Sequence, residues 1–186
     1  MSFNKINIRK IVFAAVVAAL YAGLTFVVMP VAYTPMQLRI SEVLCILPFF
    51  FPFSVWGLFV GCIIANIISP YGIIDLVVGS IASLLAAVST MYIGKMDRSD
   101  RITIKAFACF PPVILNAVFI GAMIAFYMVG FSEVFWKTFL IYGLWVGLGQ
   151  LLVLYVLGLP LMIYLPKTNF IDKLKLLYMG EGHNES

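Results

Sequence analysis

The chain has 186 residues, 63% of them hydrophobic and only 11% charged, with a formal net charge of +4. A water-soluble domain of this length must cover itself with more polar groups, so a soluble enzyme is excluded. The positive charge carries no nucleic-acid signal, because the basic residues map onto loops between apolar runs.

Several of those runs approach the roughly 20 residues that cross about 30 Å of hydrocarbon. They are continuous rather than alternating, which points to helices and not to a β-barrel. The composition therefore predicts an all-α integral membrane protein.

The first span, over 11–28, follows Lys5, Arg9 and Lys10 and ends at Met29-Pro30. No small-x-small cleavage site closes it and more membrane follows, so it reads as a span rather than a signal peptide. Ala14, Ala18 and Ala22 recur every four residues along it, and so do Ala15, Ala19 and Gly23. Small residues at that spacing let another helix approach closely, either within the bundle or from a separate membrane subunit.

Thr34-Pro35-Met36-Gln37 has a threonine cap, a proline at the first helical position and a glutamine at the third. It predicts a second helix over 35–51. Arg39 and Glu42 sit near its start, three residues apart. They could pair on one helix face while Arg39 snorkels to the headgroups. They could equally face a cavity, the usual place for intramembrane charge.

The apolar run then breaks at Pro52, and this break decides the topology. Beyond it lie apolar runs over 53–68, 73–93, 106–129 and 137–165. Lys95, Arg98, Arg101 and Lys105 occupy the 94–105 loop, and Lys167, Lys173 and Lys175 the tail. Basic residues mark the cytoplasmic side. The N-terminus, that loop and the tail share a side only if four spans precede the loop. The segment 35–68 must then be a hairpin turning at Pro52. Six transmembrane helices result, with a cytoplasmic N-terminus over 1–10, a membrane domain over 11–165 and a cytoplasmic tail over 166–186. Of the 12 Lys and Arg, only Arg39 and Lys137 fall on the outer side.

Depth then follows at about 1.5 Å per helical residue. Arg39, Glu42, Asn66 and Asp75 fall in the outer third, and Asn116 and Gln150 near mid-depth with Tyr142 and Trp145 above. Polar lining confined to the outer half describes a pocket closed beneath, and neither a pore nor a proton relay. Bland alternatives exist for each. Asp75 could serve the helix dipole and Asn66 a helix end. Asn116 and Gln150 could bind carbonyls across helix contacts, and Tyr142 and Trp145 could be interface aromatics. Glu133 and Lys137 read as solvated, and His183 in the tail carries no assignment. Cys45, Cys62 and Cys109 lie in separate apolar runs, without metal spacing, and read as small buried hydrophobes.

Five stretches share a further likeness: LRISEVLCILPFFFP, GLFVGCIIANIIS, GIIDLVVGSIASLLAA, PPVILNAVFIGA and LGQLLVLYVLGLPL. Together, over roughly residues 10–165, they resemble the QueT family, substrate-binding S components of energy-coupling factor (ECF) transporters. The resemblance implies an S-component-like bundle in the bacterial cytoplasmic membrane and no cofactor. Its implied substrate is a queuosine precursor of 7-deazaguanine type, preQ1 (7-aminomethyl-7-deazaguanine) or queuine. Implied partners are an ECF transmembrane scaffold subunit, met by Ala14, Ala18 and Ala22 or by Ala15 and Ala19, and two ATPase subunits. The chain itself has no G-x-x-x-x-G-K-[ST] loop, in keeping with ATP hydrolysis elsewhere. At position 150 the resemblance carries a glutamate where this chain has Gln150.

A 7-deazaguanine offers a two-donor edge for a carboxylate, a carbonyl that wants a donor and a ring that wants an aromatic face. On this reading Glu42 and Asp75 divide the guanine edge and the ammonium of preQ1 between them, and Arg39 orients Glu42 or donates to the carbonyl. Asn66, Asn116 and Gln150 complete the polar contacts, and Tyr142 or Trp145 stacks. The rival is a stand-alone secondary transporter for a small polar, nucleobase-like or vitamin-like solute, which internal repeats would favour. No enzyme signature such as H-E-x-x-H or G-x-S-x-G occurs.

Overall fold

The structure, a computed structural model, describes residues 8–96 and 101–179. Lys5, Arg98 and His183 lie outside them. The described residues are helical and contain no strand. Helix α1 (Ile8–Val27) leads into the single turn α2 (Met29–Ala32), which takes Pro30 in its first turn, where a missing N–H costs nothing. Helix α3 (Ile40–Phe50) is 3₁₀ over Ile40–Ile46 and α-helical over Leu47–Phe50. Then come α4 (Ser54–Asn66), α5 (Ile73–Met96), α6 (Ile102–Ala108), α7 (Phe110–Val129) and α8 (Phe135–Leu151). A π-helical stretch (Leu152–Gly158) carries α8 into α9 (Leu159–Tyr164), and α10 (Phe170–Met179) ends the described chain.

Among the described residues, four stretches are long and apolar enough to cross a membrane: Ile8–Val27, Ile73–Met96, Ile102–Val129 and Phe135–Lys167. Helices α3 and α4 are shorter and also apolar. Phe51 precedes Pro52 and is extended (φ −129°, ψ 88°), as the clash with the proline ring requires, and this ends α3.

Contacts fix the direction of each segment. Phe13 meets Phe51 and Tyr21 meets Glu42, so α3 runs against α1. Gly57 lies against Ala14 and Val17 and Gly61 against Ala18 and Tyr21, so α4 runs with α1. The chain therefore reverses at Pro52. Asn66 meets Asp75 and Cys62 meets Ser83, which sets α5 against α4. Tyr71 pairs with Tyr127 and Thr90 with Ala108, while Gly121 abuts Gly143 and Ala106 meets Tyr155. Directions thus alternate through α7 and α8.

Prolines shape the ladder and the freed carbonyls find partners. Pro112 cannot donate to the Ala108 carbonyl, which instead accepts from Thr90 Oγ1 at 3.1 Å. Tyr155 Oη donates to the Ala106 carbonyl at 2.9 Å. The end of the bundle holding Phe13, Phe51 and Lys95 is closed by α10, where Tyr178 packs edge-on to Phe13 and Phe51.

Three sequence expectations change. Residues 34–39 form a turn rather than the start of a helix, and Thr34 Oγ1 donates back to the Val31 carbonyl at 2.8 Å instead of capping forward. The 94–105 loop is shorter than read, because α5 continues to Met96 and α6 begins at Ile102. Lys105 is consequently buried within α6. The sixth helix is not regular over 137–165 but passes through the π-helical stretch.

Candidate functional site

Arg39 stands just before α3 with an extended backbone (φ −89°, ψ 105°), so its side chain projects away from that helix. Its Nη2 meets Asp75 Oδ2 at 3.2 Å, its Nη1 donates to Asn66 Oδ1 at 3.0 Å, and its Nε donates to the Ala32 carbonyl at 3.4 Å. The guanidinium also lies over the Tyr33 ring, 4.9 Å from its centre. Asn66 Nδ2 donates to the Asp75 carbonyl at 3.0 Å and Ser69 Oγ to Asp75 Oδ2 at 2.5 Å. One buried knot thus ties the 33–39 turn to the end of α4 and the first turn of α5. A buried ion pair holds only when its remaining donors and acceptors are also met. Here Arg39 meets that condition, but Asp75 leaves Oδ1 without a partner.

Glu42 does not pair with Arg39, contrary to the helix-face expectation. Its Oε1 accepts from Tyr21 Oη at 2.5 Å and its Oε2 from Cys45 Sγ at 3.1 Å. Beside it Thr25 and Ser41 share a hydrogen bond of 2.7 Å. Glu42 is 2% exposed, and no salt bridge to it is among those of the described residues. Helix α1, apolar in sequence, is fastened to α3 through this carboxylate.

Among the described residues, five buried side-chain atoms have no hydrogen-bond partner: Gln37 Nε2, Asp75 Oδ1, Ser80 Oγ, Asn116 Nδ2 and Gln150 Oε1. They come from the 33–39 turn, α5, α7 and α8. Their depths agree. From the Thr90–Ala108 contact, Ser80 and Asn116 lie about 15 and about 12 Å along their helices at the usual rise. From the Gly121–Gly143 contact, Asn116 and Gln150 lie about 7 and about 10 Å back the other way. A Cβ on Gly149 would collide with the Met36 carbonyl oxygen, so only glycine lets the Gln37 turn press against α8 beside Gln150. An unpaired buried polar group costs about 1–3 kcal/mol. Several such groups together are a cost that a bound polar molecule would offset.

Of the residues singled out in the sequence, Arg39, Asn66 and Asp75 meet directly, and Asp75, Asn116 and Gln150 contribute to the unpaired layer. Tyr142 is half-buried against the Ala82, Ile120 and Val146 cluster, together with Tyr71. Trp145 turns outward, 49% exposed, and does not join them. Gln37, Ser80, Tyr21 and Tyr71 were not anticipated. Gln37 enters the sequence reading only through the helix-start signal, and Ser80, Tyr21 and Tyr71 carry no assignment there.

The two small-residue stripes of α1 separate. Ala14, Ala18 and Ala22 are buried inside the bundle, the first two against Gly57 and Gly61 of α4. Ala15, Ala19 and Gly23 are exposed. Near them Val12, Val16 and Leu20 line an apolar groove of about 1140 Å³ shared with α3, α9 and α10, with Arg9 and Lys173 on its lining. None of its lining residues carries one of the five unpaired atoms. No group of three or more metal-ligating side chains occurs among the described residues.

The model of a family described as QueT transporter matches residues 11–167. No curated protein and no solved structure matches the chain.

Proposed function

The chain belongs to the QueT transporter family, and on that premise we propose that it is the substrate-binding S component of an ECF-type importer for a queuosine precursor of 7-deazaguanine type. It is a transport protein and a multi-pass membrane protein. The finer reading is supported by the layer of unpaired polar atoms at Asp75, Ser80, Asn116 and Gln150. Two acceptors, a donor and a hydroxyl suit a heterocycle that carries donors on one edge and a carbonyl beside them. Asp75 Oδ1 would take the exocyclic amine, with Arg39 and Ser69 holding the carboxylate in place through Oδ2. Asn66 serves as a brace for this pair rather than as a direct contact. Tyr142, with Tyr71, would supply the aromatic face. Glu42, which forms no salt bridge among the described residues, would offset the positive aminomethyl group of preQ1 or the amine of queuine.

In this reading all six apolar segments span the membrane of a bacterial cell, with both termini cytoplasmic. Arg9, Lys10, Lys95, Arg101, Lys167 and Lys173 then gather at the cytoplasmic end, as the basic-residue rule requires. The layer opens outward. Exposed Ala15, Ala19 and Gly23, with the neighbouring groove, are the face for the scaffold subunit, and two ATPase subunits supply the energy. Native mass spectrometry of the purified protein tests this reading. A co-purifying ligand of deazaguanine mass is the expected result, and uptake by vesicles holding this chain alone would favour a self-sufficient transporter instead.

A further inference from the structure

Gln37 is the sole described residue other than glycine with a left-handed backbone, at φ +46°. Glutamine has no short side chain with which to ease that conformation, so something else must hold it. Its own N–H donates to the Thr34 carbonyl and its carbonyl accepts from the Arg39 N–H, both at 2.8 Å. Arg39 is fixed in turn to Asp75 and Asn66, and the preceding Met36 carbonyl is pressed onto Gly149. Both flanks of Gln37 are therefore pinned. The result is a 2%-exposed carboxamide whose Nε2 donates to nothing. One position away from the Met36–Gly149 contact, Gln150 is likewise buried, and its Oε1 accepts from nothing.

A donor on one side and an acceptor on the other, on backbones that abut, form the complement of a cis –NH–C(=O)– unit. We propose that Gln37 and Gln150 together read the lactam edge of the bound base, Gln37 Nε2 donating to its carbonyl oxygen and Gln150 Oε1 accepting from its ring N–H. The assignment rests on the 7-deazaguanine reading given above and adds to it the residues that tell a 6-oxo base from a 6-amino base. A base with an amino group in place of the carbonyl presents the opposite pattern to both side chains. With both carboxamides in their present orientations, it sets N–H against N–H at Gln37 and lone pair against lone pair at Gln150. A site built around a hydrogen-bonded group discriminates strongly against an analogue that cannot complete it.

The test compares two probes, 7-deazaguanine and 2,6-diamino-7-deazapurine, by calorimetry on the full-length protein in detergent. The variants are Gln37→Gly and Gln150→Leu. Glycine accepts φ +46° without strain, so Gln37→Gly should unfold at or above the wild-type temperature, and a loss of binding cannot be ascribed to misfolding. Wild type should favour the 6-oxo base by on the order of a hundredfold. Gln37→Gly should bind the 6-oxo base roughly tenfold or more weakly, and the diamino base within about threefold of wild type. Gln150→Leu should also lose most of the preference. Equal binding of both probes by wild type, or wild-type discrimination in Gln37→Gly, would overturn the lactam assignment while leaving the deazaguanine reading in place. Failure of both probes to bind wild type would overturn that reading itself.

Discussion

Arg39 and Asp75, 36 residues apart, meet at 3.2 Å with almost no exposure. Their contact joins the turn after α2 to the start of α5 and holds the Asp75 carboxylate through Oδ2, leaving Oδ1 unpaired. Removing one partner of a buried pair strands the other charge, at a cost of about 3–5 kcal/mol. Arg39→Ala and Asp75→Asn should each lower stability by an amount of that order. The double substitution Arg39→Met with Asp75→Leu should be milder than the sum of the singles. Thermal unfolding in detergent, arranged as a double-mutant cycle, measures this.

Tyr21 donates the hydrogen bond that holds Glu42 from the side of α1. Tyr21→Phe removes one oxygen and leaves a buried carboxylate short of a donor, for an expected loss of about 2 kcal/mol. Phenylalanine fills the same space, so a loss well below 1 kcal/mol in denaturant unfolding would mean that Glu42 is held by other groups.

The two faces of α1 should respond differently to bulk. A Cβ on Gly57 would lie 2.5 Å from the Ala14 carbonyl oxygen, so Gly57→Leu should prevent α1 and α4 from packing and abolish folded protein. Ala19 is exposed. Ala19→Leu should fold and bind ligand normally yet fail to co-purify with a scaffold subunit. Size-exclusion chromatography and co-purification separate the two outcomes.

Burial also separates the two aromatic candidates. Tyr142 packs with Tyr71 against the cluster of Ala82, Ile120 and Val146, whereas Trp145 is half-exposed. Tyr142→Ala should weaken binding of a deazaguanine roughly tenfold, the scale of one base–aromatic stack. Trp145→Ala should leave affinity within about twofold, since a side chain that touches no ligand contributes little. Calorimetric titration distinguishes them.

Much of this architecture is legible in the residues themselves, because a membrane makes charge conspicuous. The break at Pro52 follows from where the lysines and arginines fall, and the chain does reverse there. Arg39, Asn66 and Asp75 stand out as costly in lipid, and they are found together. The pairing of Arg39 was not legible. Spacing suggests Glu42, three residues on, but spacing cannot reveal that residues 34–39 leave the helix so that the guanidinium reaches across to α5. The helix-start signal at Thr34 is a local preference worth about 1 kcal/mol, and a buried ion pair with its hydrogen bonds outweighs it. Gln37 and Ser80 were invisible for another reason. A single polar residue in an apolar run gains significance only when its neighbours in space leave it unpaired.

We place the substrate site at the unpaired groups of Asp75, Ser80, Asn116 and Gln150, with Gln37. Its most direct test is a calorimetric titration of 7-aminomethyl-7-deazaguanine into the wild-type protein and into Asn116→Leu, a near-isosteric change at the middle of the layer. One-to-one binding by wild type, weakened roughly tenfold or more in Asn116→Leu at unchanged melting temperature, is the predicted result. Undiminished affinity in a folded Asn116→Leu protein would contradict it.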